Sequence, residues 1–306
     1  MDNVLELWER PAANQKCMIA GWRQWADAGS ISSGLPQYLI AQTGARKIGE
    51  IKPDGFYLFQ IPGTHHLVRP RVKFEEGYRK ELETKRNEFF YAEDNDQGLV
   101  IFLGDEPHLN VESYAEVFLS AVKELGVSRV AALGGVYGAM PYDKDREVSC
   151  VYSLPRLKEE LENYAVNLSN YEGGSTIGAY LVDRAEQEEL EFIDFYAFVP
   201  AYDFSQLSAH VQGLRIESDF KAWYDLMRRF NHMFDLRIDL SDLARQSDEL
   251  MASLDAKLAE LETKLPQLKV KEYIEKLAHD FTEMPFVPLG DVWEQELGDL
   301  FGDGED

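Results

Sequence analysis

The chain has 306 residues, enough to bury a large core, and its hydrophobic share of 45% and charged share of 28% are ordinary for a globular protein. Its net charge of -24 excludes the basic face that nucleic acid or an anionic membrane surface demands, so neither is an expected partner. Cys17 and Cys150 each lie in an apolar run without CxxC spacing, which reads as two buried thiols. The opening MDNVLELWERP lacks a secretory apolar region and no apolar run reaches membrane length, so a cytoplasmic protein is expected.

In chain order, residues 4–7 read as an edge strand and 16–21 as a buried one. A loop and a helix over 31 to about 42 follow, with Ser30 as its N-cap. Residues 46–51 and 56–61 read as two strands joined by Lys52-Pro53-Asp54-Gly55, a hairpin that predicts a mixed sheet. His65 and His66 are adjacent, a poor geometry for metal ligands, and read as loop residues. Residues 74–91 are charged and aromatic and receive no type. The run 99–103 is the clearest buried strand; Asn110 then caps a helix to about 125, which Gly126 ends.

Residues 130–133 are apolar on both faces, as in a central parallel strand. Gly134, Gly135 and Gly138 predict a flexible turn at its C-terminal end, and Pro141 bars a clean helix start. An extended run over 148–152, a short helix from 155 to about 163 and a weak strand at 165–168 come next. A helix begins at Ser175 or Thr176 and runs to about 189, ahead of a buried strand over 192–200. Past Gly213 only helices are expected. Ile216, Phe220, Trp223, Met227, Phe230 and Phe234 form one helical face. A heptad-like leucine seam from Leu240 to Leu265 is broken by Pro266 and resumes over 268–281, and a last helix-like stretch over 292–301 precedes an acidic tail.

The loops at 21–30, 104–108 and 173–175, with 134–141, are expected at one edge of the sheet, where open α/β folds bind ligands. Helix N-termini at Ser30, Asn110 and Ser175 would cradle an anion there. Yet Asp27, Asp105, Glu106 and Glu172 share those loops and would repel a phosphate. There is no GxGxxG opening a helix, no GxxxxGK[ST], no HExxH and no GxSxG around Ser175, so no metal or cofactor is expected and no catalytic residue is assigned. The aromatics Trp22, Trp25, Tyr137, Tyr142 and Tyr202 read singly as core lids and together as an interaction or ligand surface. The candidate crevice is thus Trp22, Asp27, Gly29, Glu106, Gly134, Gly135, Tyr137, Gly174, Ser175 and Tyr202.

Several short pieces recur together in one family. Gly21-Trp22 with Trp25-Ala26-Asp27-Ala28-Gly29 comes first, then Tyr57 with Arg69-Pro70-Arg71, and Gly104-Asp105-Glu106-Pro107. Leu133-Gly134-Gly135 with Met140-Pro141, Gly174-Ser175-Thr176-Ile177-Gly178 and Val199-Pro200-Ala201-Tyr202 complete the set. In these the sequence resembles the proteasome assembly chaperone 2 family in its long bacterial and archaeal form. With the strand and helix pattern, the resemblance implies an α/β fold with a mixed, mostly parallel sheet and helices on both faces. The core would be like that of nucleoside phosphorylases and hydrolases. Residues 1–214 would form this core, and 215–306 a helical extension packed on it or on a neighbouring subunit.

The resemblance implies a non-catalytic, chaperone-like interaction protein that self-associates. Some relatives dock on the 20S ring through a hydrophobic-Tyr-X tail; Gly304-Glu305-Asp306 do not match that pattern, so such docking is not expected. The alternative is a small-molecule enzyme, phosphorylase/hydrolase-like or carboxylate–amine ligase-like, using the loop edge around Asp27, Gly135 and Ser175.

Overall fold

The computed structural model describes residues 4–23, 25–60, 68–94, 97–202 and 214–286. The chain begins with β1 (Leu5–Leu7) and β2 (Gln15–Arg23), and a 3-10 turn at Ala28–Ser30 leads into α1 (Ile31–Thr43) and β3 (Arg46–Ile51). A separate hairpin, β4 (Arg71–Glu75) and β5 (Tyr78–Glu83), precedes β6 (Asn87–Asp94), β7 (Gln97–Asp105), α2 (Val111–Glu124) and β8 (Arg129–Gly138). Then come β9 (Val148–Tyr152), α3 (Leu157–Leu161), β10 (Asn167–Leu168), α4 (Ile177–Gln187) and β11 (Glu191–Tyr202). The last described elements are β12 (Leu214–Arg215), α5 (Phe220–Phe234), α6 (Ser241–Lys264) and α7 (Val270–Asp280).

The main sheet has the order β1-β3-β6-β7-β2-β8-β11-β9-β10. Its centre, β7-β2-β8-β11, is parallel, and β6 and β9 flank it antiparallel. The sheet is mixed and mostly parallel at its heart, as the sequence implied. Alternation along β2 splits the core in two. Cys17 and Ile19 face one cluster with Leu35 of α1 and Phe230 of α5. Met18, Ala20 and Trp22 face the other with Phe118 of α2 and Leu181 of α4.

The amphipathic stripe on α5 buries Trp223, Leu226, Met227 and Phe230 in the first cluster. Each such side chain contributes about 1.5–3 kcal/mol when taken fully out of water. Of the leucine seam, Leu243, Leu254 and Leu258 are buried, and a 3-10 turn at Pro266–Leu268 separates α6 from α7. No helix among the described residues is long and apolar enough to cross a membrane.

Three expectations are corrected. Residues 56–60 form no strand beside β3, because β1 and β6 already occupy its two edges. Instead the Phe56 carbonyl accepts from the N–H groups of His108 and Leu109, which ties this segment to the loop after β7. Gly134, Gly135 and Gly138 form no turn: β8 runs on through them because β11 supplies partners to its end, Gly134 opposite Tyr196 and Gly138 opposite Pro200. The stretch after residue 213 opens with strand rather than helix, since β12 pairs with the end of β11. The untyped stretch 74–91 holds β5 and most of β6. His65, His66 and the stretch 292–301 lie outside the described residues.

Candidate functional site

The loops after β2 and β7 and the loop before α4 meet over the C-terminal ends of the parallel strands. Ser30 begins α1 in the left-handed region (φ 50°), and its hydroxyl donates to the Glu217 carbonyl at 2.8 Å, so it does not cap the helix. Asp27 takes that role. Its carboxylate accepts from the N–H groups of Ser32 (3.0 Å) and Ser33 (2.9 Å) and from the Ser33 hydroxyl (2.7 Å). Burial pushes its pKa up, against the pull of those hydrogen bonds. The same loop crosses β8 at Gly135, whose N–H donates to the Ala26 carbonyl at 2.8 Å. A Cβ at Gly135 would stand 2.1 Å from the Ala28 carbonyl oxygen, so only glycine admits the crossing. The Gly29 carbonyl accepts from the Asp219 N–H (2.9 Å) and the Trp223 indole (3.0 Å), which anchors the loop to the start of α5.

At α4 the cap is Thr176, whose hydroxyl oxygen accepts from the Ala179 N–H at 3.0 Å. Ser175 is exposed and donates to the Thr176 carbonyl (2.9 Å). Glu106 reaches across from the β7 loop and accepts from the Ile177 N–H at 2.9 Å; burial raises its pKa. Asn110 also begins its helix in the left-handed region (φ 51°) without a side-chain cap, and donates to the Gly55 carbonyl (2.8 Å). The cradle expected for an external anion is therefore filled, at α1 and α4, by the chain's own carboxylates.

Beneath Thr176 lies a polar chain that the sequence reading passed over. The Tyr196 hydroxyl donates to the Asp194 carboxylate at 2.5 Å and meets the Thr176 hydroxyl at 2.7 Å. Asp194 is wholly buried, and desolvation pushes its pKa up to about 7. Both residues sit in the run FIDFYAFVP, read only as a buried strand; an aspartate inside such a run was the available signal.

The ten sequence-derived residues separate into four places. Trp22, Glu106 and Gly134 border a cavity of about 20 Å³ with Asp194 and Tyr196, room for roughly one water. Trp22 itself is core: it packs on Phe102 and Phe118 and donates to the Tyr114 hydroxyl at 2.8 Å. Asp27, Gly29 and Gly135 build the α1 cap and its crossing. Tyr137, Gly174 and Ser175 line an open cleft of about 490 Å³ over β8 and β11. Tyr202 is buried elsewhere, donating to the Met140 carbonyl (2.8 Å) in a small cluster with Leu258 and Val270.

The sequence profile of the PAC2 family matches residues 22–258. Comparison with curated protein sequences gives no match. Among solved structures, a PAC2 family protein from Streptomyces avermitilis is similar at a TM-score of 0.68 and 24% identity, covering 85% of this chain and 99% of that one. A proteasome-assembly chaperone homologue from Mycobacterium tuberculosis gives 0.68 and 21%, covering 80% of this chain and 96% of that one. An archaeal proteasome activator from Pyrococcus furiosus gives 0.57 and 20%, covering 82% and 97%. At these identities the structural likeness is one of fold.

Proposed function

This chain belongs to the PAC2 family, and we propose that it is a proteasome-assembly-chaperone-like protein that works through protein–protein contact and catalyses no reaction. The observation that carries the reading is the β4–β5 hairpin. It forms its own two-stranded sheet, and every residue of it is exposed. Val72 stands opposite Leu82, with Phe74 next on the same face of β4, while Arg71–Glu83 and Lys73–Glu81 pair on the other face. A two-stranded hairpin alone is marginal in water, so an apolar face on one asks for a covering surface. The Mycobacterium tuberculosis and Pyrococcus furiosus proteins of like fold, a chaperone homologue and a proteasome activator, support the same reading.

The occupant we place on that face is a second copy of the chain. Arg71, Lys73, Arg79 and Lys80 match Glu75, Glu76, Glu81 and Glu83 in number, so the hairpin is neutral in a chain of net charge -24. Two copies approach there with the least repulsion. We further propose that residues 1–214 are the α/β core and 215–306 a helical region packed on it. The burial of α5 against the sheet supports that packing, and the two buried free thiols fit a reducing cytoplasm.

Sedimentation velocity on the purified chain tests the reading. Wild type is expected to associate, and a Phe74→Asp/Leu82→Asp variant with an unchanged circular dichroism spectrum to stay monomeric. Gel filtration with isolated proteasome α-subunits, not with the assembled 20S ring, is expected to show co-elution. A monomeric wild type that leaves the α-subunits unbound would overturn the proposal.

A further inference from the structure

The cleft over β8 and β11 is lined by none of the residues of the exposed hairpin and offers a chemistry of its own. Trp25, Tyr137, Tyr171, Tyr196 and Phe198 give it aromatic walls. Trp25 and Tyr171 are 74% and 73% exposed, an unusual exposure for rings that flank a concavity. Ser149, Ser169 and Ser175 add small hydroxyls, and none of the described residues lining the cleft carries a charge.

Charge decides what such a cleft excludes. The helix N-termini of α1 and α4, which would attract an anion, already hold the carboxylates of Asp27 and Glu106. Among the described lining residues there is no cation to pair an anionic ligand, and Arg215 beside the cleft is stacked over the Tyr137 ring at 5.4 Å. Asp194, buried beneath Thr176, is engaged by the Tyr196 hydroxyl, and none of the described lining residues is an anion that would pair a cation. At about 490 Å³ the space falls in the usual range for small-molecule sites, which runs from about 300 to about 1,000 Å³. Flat aromatic walls favour a flat ring, and the hydroxyls favour a ligand that carries hydrogen-bonding substituents.

We propose that this cleft binds an uncharged, planar-ring small molecule bearing hydrogen-bonding groups. The inference does not rest on the chaperone-like reading, and either stands without the other. A neutral probe and its anionic counterpart, indole-3-acetamide and indole-3-acetate, separate the chemistry. Melting temperature is followed against ligand concentration, and saturation-transfer NMR reports contact. The amide should give a saturable rise in melting temperature, and the acetate should bind about tenfold more weakly or worse.

Two variants locate the site. Gly174 has open space where a Cβ would be built, so Gly174→Trp should fold and obstruct the cleft. Tyr171→Ala removes one exposed wall and should weaken the amide by about tenfold. No saturable shift with the amide, equal binding of the acetate, or undiminished amide binding in both variants would each overturn the proposal.

Discussion

Gly135 is fixed by a close approach, not by a need for flexibility. Residues 26–28 pass over β8 so tightly that any Cβ there meets the Ala28 carbonyl oxygen. Gly135→Ala should therefore lower stability by about 1–3 kcal/mol in urea unfolding, the usual cost of forcing extra atoms into a packed contact. Gly174→Ala, with open space around it, should stay within about 0.5 kcal/mol of wild type. Equal losses at the two positions would contradict this account. Asp194 offers a second test. Its pKa of about 7 lies above the unfolded carboxyl value, so between about pH 4 and pH 7 the folded chain keeps a proton that the unfolded chain has lost. Stability thus falls as pH rises through that window. Asp194→Asn never ionises and still offers an oxygen to the Tyr196 hydroxyl. The wild type should lose stability relative to it from pH 4 to pH 8, by about 1.4 kcal/mol per pKa unit; a flat difference across that range would sink the idea. The glycine pattern in RVAALGGVYG was legible as special backbone. Its cause was not, because the loop that crosses β8 is over a hundred residues away in sequence. The same holds for α4, which is capped in part by Glu106 from 71 residues upstream.

At the scale of elements, α5 depends on one buried ion pair. Arg146 donates through Nε (2.8 Å) and a terminal nitrogen (3.2 Å) to the Asp219 carboxylate, and both side chains are fully buried. Asp219 also caps α5, accepting from the Ala222 N–H at 3.1 Å, and its own N–H holds the Gly29 carbonyl. Arg146→Ala leaves that carboxylate buried without its partner, and the expected loss is about 3–5 kcal/mol in equilibrium unfolding. The Arg146→Ala/Asp219→Ala double variant should lose clearly less than the sum of the single losses, as residues in one network do. Strict additivity would show that the pair is not coupled. The apolar stripe of α5 was legible because a period near 3.6 survives any tertiary context. The strand expected at 56–61 was misread because strand character is local, whereas a free edge beside β3 is a property of the whole sheet. The continuation of β8 through its glycines was hidden for the same reason: β11 provides the ladder.

For the whole molecule, charge and the hairpin act against each other. At -24, two copies repel over any distance the solvent does not screen. The screening length falls from about 30 Å at 0.01 M salt to about 8 Å at 0.15 M. The apolar contact offered by Val72, Phe74 and Leu82 is short-ranged and hardly changes over that range. Association through the neutral hairpin should therefore tighten as salt rises, with the dimerisation constant followed by sedimentation velocity between those two concentrations. An interface built on ion pairs would behave in the opposite way, weakening as salt screens its attraction. The Phe74→Asp/Leu82→Asp variant separates the cases further. It adds negative charge and removes the apolar face, so it should remain monomeric at both salt levels. If salt rescued its association, screening alone would suffice to join two copies, and the hairpin would not be the contact that joins them.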